Sequence, residues 1–333
     1  MVETRKVQVT GGSTFTVSIP KEWATENGVE AGSRVEFHPE GESLVLTPAT
    51  EDGRTEGSID ISGLNGEELR RVVMTMYVSG FDIITFRADR ITTSQRRTVR
   101  EATQSLVGLE VLEETGDRVV VRDLLDSSEL SIHNAVDRMR LISGSMLEDA
   151  VTALATDDSD LARDVIQRDD DVDRLYMVVS RIFRSTLRSP KAIVELGLPR
   201  ESCFDYHSTA RQLERIADHA TKIAHLSLEL DGAPPENVVE SLKDLRAAAA
   251  EVIEDATAAL VAEDADEATR LANSARERVR ELDGRARQID ELLRELDPAR
   301  AQMLGLIVDS LSRAADYGGN IAETALQKAA PTP

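Results

Sequence analysis

Four acidic residues in the second half of the chain have the types and spacing of a ligand set. Glu214 and Asp218 are four apart in LERIADHATKIAH (Leu213–His225), and Asp169 and Asp173 are four apart in QRDDDVDRL. Helix positions four apart lie on one face, a turn above each other. Each pair therefore points one way, and packing the two helices together brings four carboxylates close. Buried carboxylates are costly unless a cation, an arginine or a proton compensates them. Oxygen-rich clusters suit hard cations, and the flanking His207 and His225 widen the choice to iron, manganese or zinc. The alternative is a solvated bundle edge whose acids pair with Arg168, Arg211 and Arg215, since i,i+4 acid pairs are common on helices.

The elements that must position these acids are long helices. From about residue 126 the chain is helical and repeats itself: Met146–Ala162 lines up with Val252–Ala268, and LERIADHATKIA with LSRAADYGGNIA (Leu311–Ala322). Ile132, Val136, Met139, Met146, Ala150 and Ala153 have the 3–4 spacing of a bundle interior, and Leu213, Ile216, Ala220 and Ile223 form a seam beside the acids. Asp169 falls between Val165 and Val172 at a seam position. Breaks are expected at Ser189-Pro190, Gly232–Pro235 and Pro298. Two tandem three-helix bundles follow, over 126–232 and 233–333. In the second copy Glu214 becomes Ser312, Asp316 is kept, and the places of Asp169 and Asp173 fall near Ala275 or Arg276 and Val279 or Arg280. Asp309, Asp316 and Glu323 are seven apart, about 10 Å per step, too far for two neighbours to chelate one ion. The first copy reads as a site and the second as scaffold.

Ahead of the helices lie two smaller regions. Residues 1–50 read as strands around Val7–Val9, Phe15–Ile19, SRVEF and SLVLTP, with a short helix in KEWATENGV stopped by Gly28. Such a segment buries little core alone, so a dimer is expected. After a polar linker, EDGRTEG (51–57), residues 51–125 follow a βαβαββ order: a small α/β sandwich with a closing hairpin about Thr115-Gly116 and no phosphate-cradling glycine loop. The fold class is thus multidomain, with all-β, α/β and all-α parts.

Composition narrows the setting. The formal net charge of the 333 residues is −22, and only six of the 39 basic residues are lysine. Such an acidic, arginine-rich chain resembles proteins of salt-loving archaea; at about 1 M salt the Debye length is about 3 Å, so this charge density is screened. One cysteine, Cys203, excludes an internal disulfide and reads as a buried helix-start residue of a cytoplasmic protein. No signal peptide and no apolar run of bilayer-spanning length is present, so no direct membrane insertion is expected. No Glu-x-x-His motif precedes any histidine, which disfavours a metal-dependent helical-bundle oxidase, and no Walker-type loop is found; the chain is read as not an enzyme. His219 reads as a packed, hydrogen-bonded core histidine.

The combination of ERIADHATKIA, VIQRDDDVDRL, TALATDDSDLA and the tandem duplication resembles the PhoU family of phosphate-signalling regulators. That resemblance implies two related three-helix bundles and metal clusters on acid-x-x-x-acid motifs, often of iron. Asp169, Asp173, Glu214 and Asp218 become the ligand candidates for a metal ion such as iron or zinc. It also implies contact with a phosphate transporter's ATPase or a phosphate-sensing kinase. VTGGSTFTVSIPKEWATENGVEAGSRVEF is similar to the AbrB-type DNA-binding domain, an all-β swapped-hairpin barrel formed by a homodimer. DNA phosphates need a local basic patch, and Arg5, Lys6 and Lys21 are the candidates against Glu3, Glu22, Glu26, Glu30, Glu36, Glu40 and Glu42. The combined expectation is a phosphate-uptake regulator that binds DNA. The other readings are an antitoxin-like DNA-binding dimer with a helical scaffold, or a dimerisation module that has lost DNA binding.

Overall fold

The computed structural model describes residues 3–40, 43–49, 55–124 and 131–331. Most of the expected linker (51–54) and the expected start of the helical part (126–130) lie outside the described residues. The chain divides into two units, Met1–Arg54 and Thr55–Pro333.

In the first unit β1 (Gln8–Thr10) pairs antiparallel with β2 (Thr14–Thr16), placing Val9 opposite Phe15. Gly11 and Gly12 take φ of +66° and +85°, which the tight turn between the strands requires. Helix α1 (Lys21–Glu26) starts directly after Pro20, and β3 (Val35–Glu40) pairs antiparallel with β4 (Ser43–Pro48). The strand expected through Phe15, Val17 and Ile19 ends at Thr16, because no described strand pairs with the residues beyond it. The two hairpins remain separate two-stranded sheets, so a single chain does not close the expected barrel. Among the described residues of this unit only His38 is buried; Val7, Val9, Phe15, Val17, Ile19, Phe37 and Leu44 are exposed.

The second unit begins with an α/β region. Strands β5 (Glu56–Asp60), β6 (Ile83–Arg87), β7 (Leu109–Glu114) and β8 (Arg118–Asp123) form one sheet in the order β5-β6-β8-β7, with only β5 and β6 parallel. Helices α2 (Gly66–Val78) and α3 (Thr93–Gln104) supply Leu69, Val73, Tyr77, Val99 and Ala102 to a core with Ile84, Phe86, Val119 and Val121. A capping box between Thr92 and Gln95 starts α3, and the buried Gln95 amide also donates to the Ile61 and Leu64 carbonyls, at 3.0 Å each. The βαβαββ order is as expected.

The helical region comprises α4 (Ile132–Thr156), α5 (Ser159–Arg188), a short α6 (Pro190–Leu196), α7 (Arg200–Glu229), α8 (Glu236–Val261), α9 (Ala265–Leu293) and α10 (Pro298–Ala329). Side chains of Ser131, Asp158, Asp264 and Asp297 cap α4, α5, α9 and α10 by accepting backbone N–H bonds, as short polar residues do at helix starts. The predicted seams of α4 and α7 are buried, and one apolar core runs through both sets of three long helices. Helix α7 is central: it packs against α4, α5 and α10. The unforeseen α6 follows from Pro190, which suits the first helical position, and none of its residues is buried.

Candidate metal centre and nucleic-acid interface

Helix α5 carries Asp169 and Asp173, and the packed neighbour α7 carries Glu214 and Asp218. The packing of α5 on α7 sets the two pairs on adjoining faces, with Asp218 acting on Asp169, Asp173 and Glu214. Asp169, Asp173 and Glu214 are half-buried beside the fully buried Val165, Val172, Leu213 and Ile216, while Asp218 lies at the exposed rim. Their carboxyls disturb one another. Partial burial, then the charges of Asp173 and Asp218, push Asp169 up to about 6. Burial and Asp218 push Glu214 up to about 7, against the pull of Arg211. Asp173 and Asp218 are also raised, each mainly by desolvation, and Asp173 further by Asp218. Carboxyls held together in a partly dry place resist ionisation, and a cation among them removes that resistance.

The three arginines expected to pair with these acids at a solvated bundle edge are distributed otherwise. Arg211 alone bonds one of the four, donating from Nη1 to Glu214 Oε1 at 2.9 Å. Arg168 is taken by Asp149 at 2.7 Å and Asp164 at 3.0 Å. Arg215 lies over the Tyr317 ring, 5.5 Å from its centroid. Glu214 Oε2 is buried with no hydrogen-bond partner. As the side chains stand, no three His, Cys, Asp or Glu among the described residues converge on a metal-sized point. The donor set fits a hard cation in kind and charge, and its side chains face arginine and one another.

The flanking histidines stand apart from this set. His207 is stacked between Phe183 (4.7 Å) and Tyr176 (5.8 Å), and its pKa is lowered, by burial first and then by Arg184 and Arg211. His225 is exposed. His219 packs against Tyr317, 5.6 Å between centroids, but its Nδ1 is buried without a partner, so the hydrogen bond expected for it at that nitrogen is not made. Cys203 is buried at the start of α7, as expected.

In the second copy the remaining acids are paired with arginine. Arg276 pairs with Glu323 at 3.0 Å, and Arg313 reaches Asp316 at 3.4 Å and Asp309 at 3.9 Å. Asp283 on α9 also acts on Asp316, a neighbour that the repeat alignment did not single out.

Sequence reasoning missed Arg181 of α5. It is buried against the α/β region and donates to the Tyr77 carbonyl at 2.7 Å and the Phe81 carbonyl at 3.0 Å. Its guanidinium also pairs with Asp123 at 2.6 Å and Asp82 at 3.3 Å. No local pattern marks such a residue, since all its partners are about 60 to 100 positions away.

In the N-terminal unit Arg5 and Lys6 precede β1, and Lys21 opens α1. Because Gln8 faces Thr16 in the hairpin, both flanks leave from its open end. All three side chains are exposed, and Arg5 is paired with Glu3.

Comparison with known proteins agrees with both regions. Residues 136–227, which include all four carboxylates, match the PhoU domain family, and residues 8–53 match the MazE family of bacterial antitoxins. The phosphate-specific transport system accessory protein PhoU of Escherichia coli is 28% identical over 196 residues, 58% of this chain and 80% of that protein. A PhoU homolog of Thermotoga maritima is 28% identical over 200 residues, covering 56% and 81%. The crystal structure of PhoU from Pseudomonas aeruginosa shares the fold, with a TM-score of 0.52 over 60% of this chain and 96% of that one at 23% identity. The chain therefore joins an N-terminal segment that matches the MazE antitoxin family to a helical region that matches the PhoU domain family and resembles PhoU accessory proteins.

Proposed function

We propose that the protein is a regulator of phosphate uptake that binds DNA through a dimer of its N-terminal domain and holds a metal ion on the first helical repeat. The likeness to the accessory proteins of the phosphate-specific transport system carries this reading. Its protein partner is the ATPase of a phosphate transporter or a phosphate-sensing kinase. For the dimer the support is physical. Among its described residues this unit buries one and exposes seven large apolar side chains, too little to make a core. Strands from a second copy supply one and close the barrel.

Asp169, Asp173, Glu214 and Asp218 would hold the metal, iron or zinc being the candidates. When bound it neutralises the carboxylates and ties α5 to α7. The residues themselves place four oxygen-bearing groups on adjoining faces, keep Glu214 Oε2 unpartnered, and set the apolar seam behind them so that the charges stay shielded.

The test is a strain lacking the protein. Phosphate uptake and the transcripts of phosphate-transport genes are expected to rise in phosphate-rich medium. A chain with alanine at Arg5, Lys6 and Lys21 should leave the transcripts deregulated. Unchanged uptake and unchanged transcripts in the deletion strain would reject the reading. The MazE match favours a second one, an antitoxin-like DNA-binding dimer with a helical scaffold. It predicts growth arrest on deletion, without a phosphate phenotype.

A further inference from the structure

Arg211 stands one turn before Glu214 on α7, where its guanidinium reaches into the acidic face. It is 43% exposed, whereas the Glu214 side chain it bonds is 13% exposed. The same guanidinium lies over the ring of Tyr176 on α5, 5.4 Å from the centroid. Arg211 thus spans the two helices that carry the carboxylates, and it is attached at its outer end to solvent and an aromatic face. The second copy supplies an internal comparison. Where repeat one has Arg211 and Glu214, repeat two has Asp309 and Ser312, so the copy without the glutamate is also without the arginine.

We propose that Arg211 is a built-in counter-cation for the carboxylates of α5 and α7, and that a divalent metal ion arriving there displaces it from Glu214. The inference rests on the metal reading above. A metal ion within bonding distance of Glu214 stands a few ångströms from the guanidinium, and two cations that close in a partly dry place repel strongly. Arg211 has somewhere to go: its stem is long, its outer end is solvated, and Tyr176 already offers it an aromatic face. Metal loading is then reported at the surface as a guanidinium freed beside Tyr176. The tethered cation also explains how the acidic face stays folded when no metal is present.

The test uses the full chain, stripped of metal with a chelator and titrated calorimetrically with Mn²⁺. Arg211→Gln and Arg211→Met, the latter keeping an apolar stem against Tyr176, are compared with wild type. Both should bind Mn²⁺ about tenfold tighter or more, because no resident charge has to be expelled. In the metal-free protein each should lower Tm in the wild-type background and have little effect when Glu214→Gln is already present, the signature of a direct pair. Mn²⁺ affinity that is unchanged or weaker in the Arg211 variants overturns the displacement while leaving the metal site standing. No Mn²⁺ binding by any of these chains overturns both. An equal loss of Tm with and without Glu214→Gln overturns the pairing itself.

Discussion

Arg181 of α5 and Asp123 at the end of β8 form a buried ion pair, with Nη2 and Oδ2 2.6 Å apart and side chains only 10% and 7% exposed. The pair ties the α/β region to the helix that also carries Asp169 and Asp173. The Tyr77 and Phe81 carbonyls take further N–H groups of the guanidinium, so its desolvation is largely compensated. Removing only the arginine takes this short-range counter-charge from a buried carboxylate and strips the Tyr77 and Phe81 carbonyls of their donor. Arg181→Met should therefore destabilise by about 3–5 kcal/mol, read by denaturant melts. Adding Asp123→Asn should recover part of the loss, because a buried charge that has lost its arginine is removed. A double variant no more stable than Arg181→Met would show that the carbonyl bonds, and not the ion pair, hold the region in place.

The raised carboxyls set a pH dependence. Glu214 is shifted from 4.5 up to about 7 and Asp169 from 3.8 up to about 6. Between those limits the folded protein holds protons that the unfolded chain has released, so stability falls as pH rises. The contribution is fully present below about pH 4 and lost by about pH 7. Metal-free protein should lose on the order of 2 kcal/mol between pH 5 and 7.5 from these groups, allowing for solvent screening of both half-buried carboxyls. Glu214→Gln should flatten that slope, and so should saturating metal. A metal-free Tm that rises over this window and is insensitive to Glu214→Gln would contradict the prediction.

The extent to which this architecture was legible in the sequence depended on the range of each interaction. The seam from Ile132 to Ala153 and the acid pairs of α5 and α7 repeat within a few residues, so helical periodicity exposes them. That the two pairs lie on adjoining faces of α5 and α7 also followed from sequence, because Asp169 falls beside the seam residues Val165 and Val172. The partners of Arg168, Arg181 and Arg215 did not, since a guanidinium on a long stem selects among acids and rings that only the tertiary fold brings near. Strand β2 was overextended because alternation in Phe15, Val17 and Ile19 marks a face to be covered, and does not say whether the covering strand belongs to the same chain.

Gly318 and Gly284 make a matched pair within the second repeat. A Cβ on Gly318 would stand 2.9 Å from Val252 Cγ1 and 3.2 Å from Ile253 Cγ1, whereas one on Gly284 would meet nothing within 4 Å. Valine in a helix has little rotamer freedom with which to move aside. Gly318→Ala should cost about 1–3 kcal/mol through overpacking of α10 on α8, more than the helix propensity it gains. Gly284→Ala, exposed on α9, should stabilise by about 0.5–1 kcal/mol. Chemical denaturation of the two variants checks this, and stabilisation by both would show that α8 and α10 are less closely packed than the contact implies.

The proposed DNA binding assigns the phosphate contacts to Arg5, Lys6 and Lys21, which leave the first hairpin at its open end in a unit that is otherwise acidic. In the proposed dimer the three charges would be doubled. Arg5 is held by Glu3 in the free chain, so engaging a phosphate means exchanging that partner. Each phosphate contact removed should lower the steepness of log K against log salt by about 0.9. Alanine at all three sites should therefore flatten the plot by about three per copy and abolish binding at moderate salt, with the helical region unchanged by circular dichroism. The single change Glu3→Gln should act the opposite way, freeing Arg5 and tightening binding. A triple variant with wild-type affinity and slope for its promoter would place the DNA contact on another surface, and a Glu3→Gln variant that binds no better would show that Arg5 does not reach the backbone.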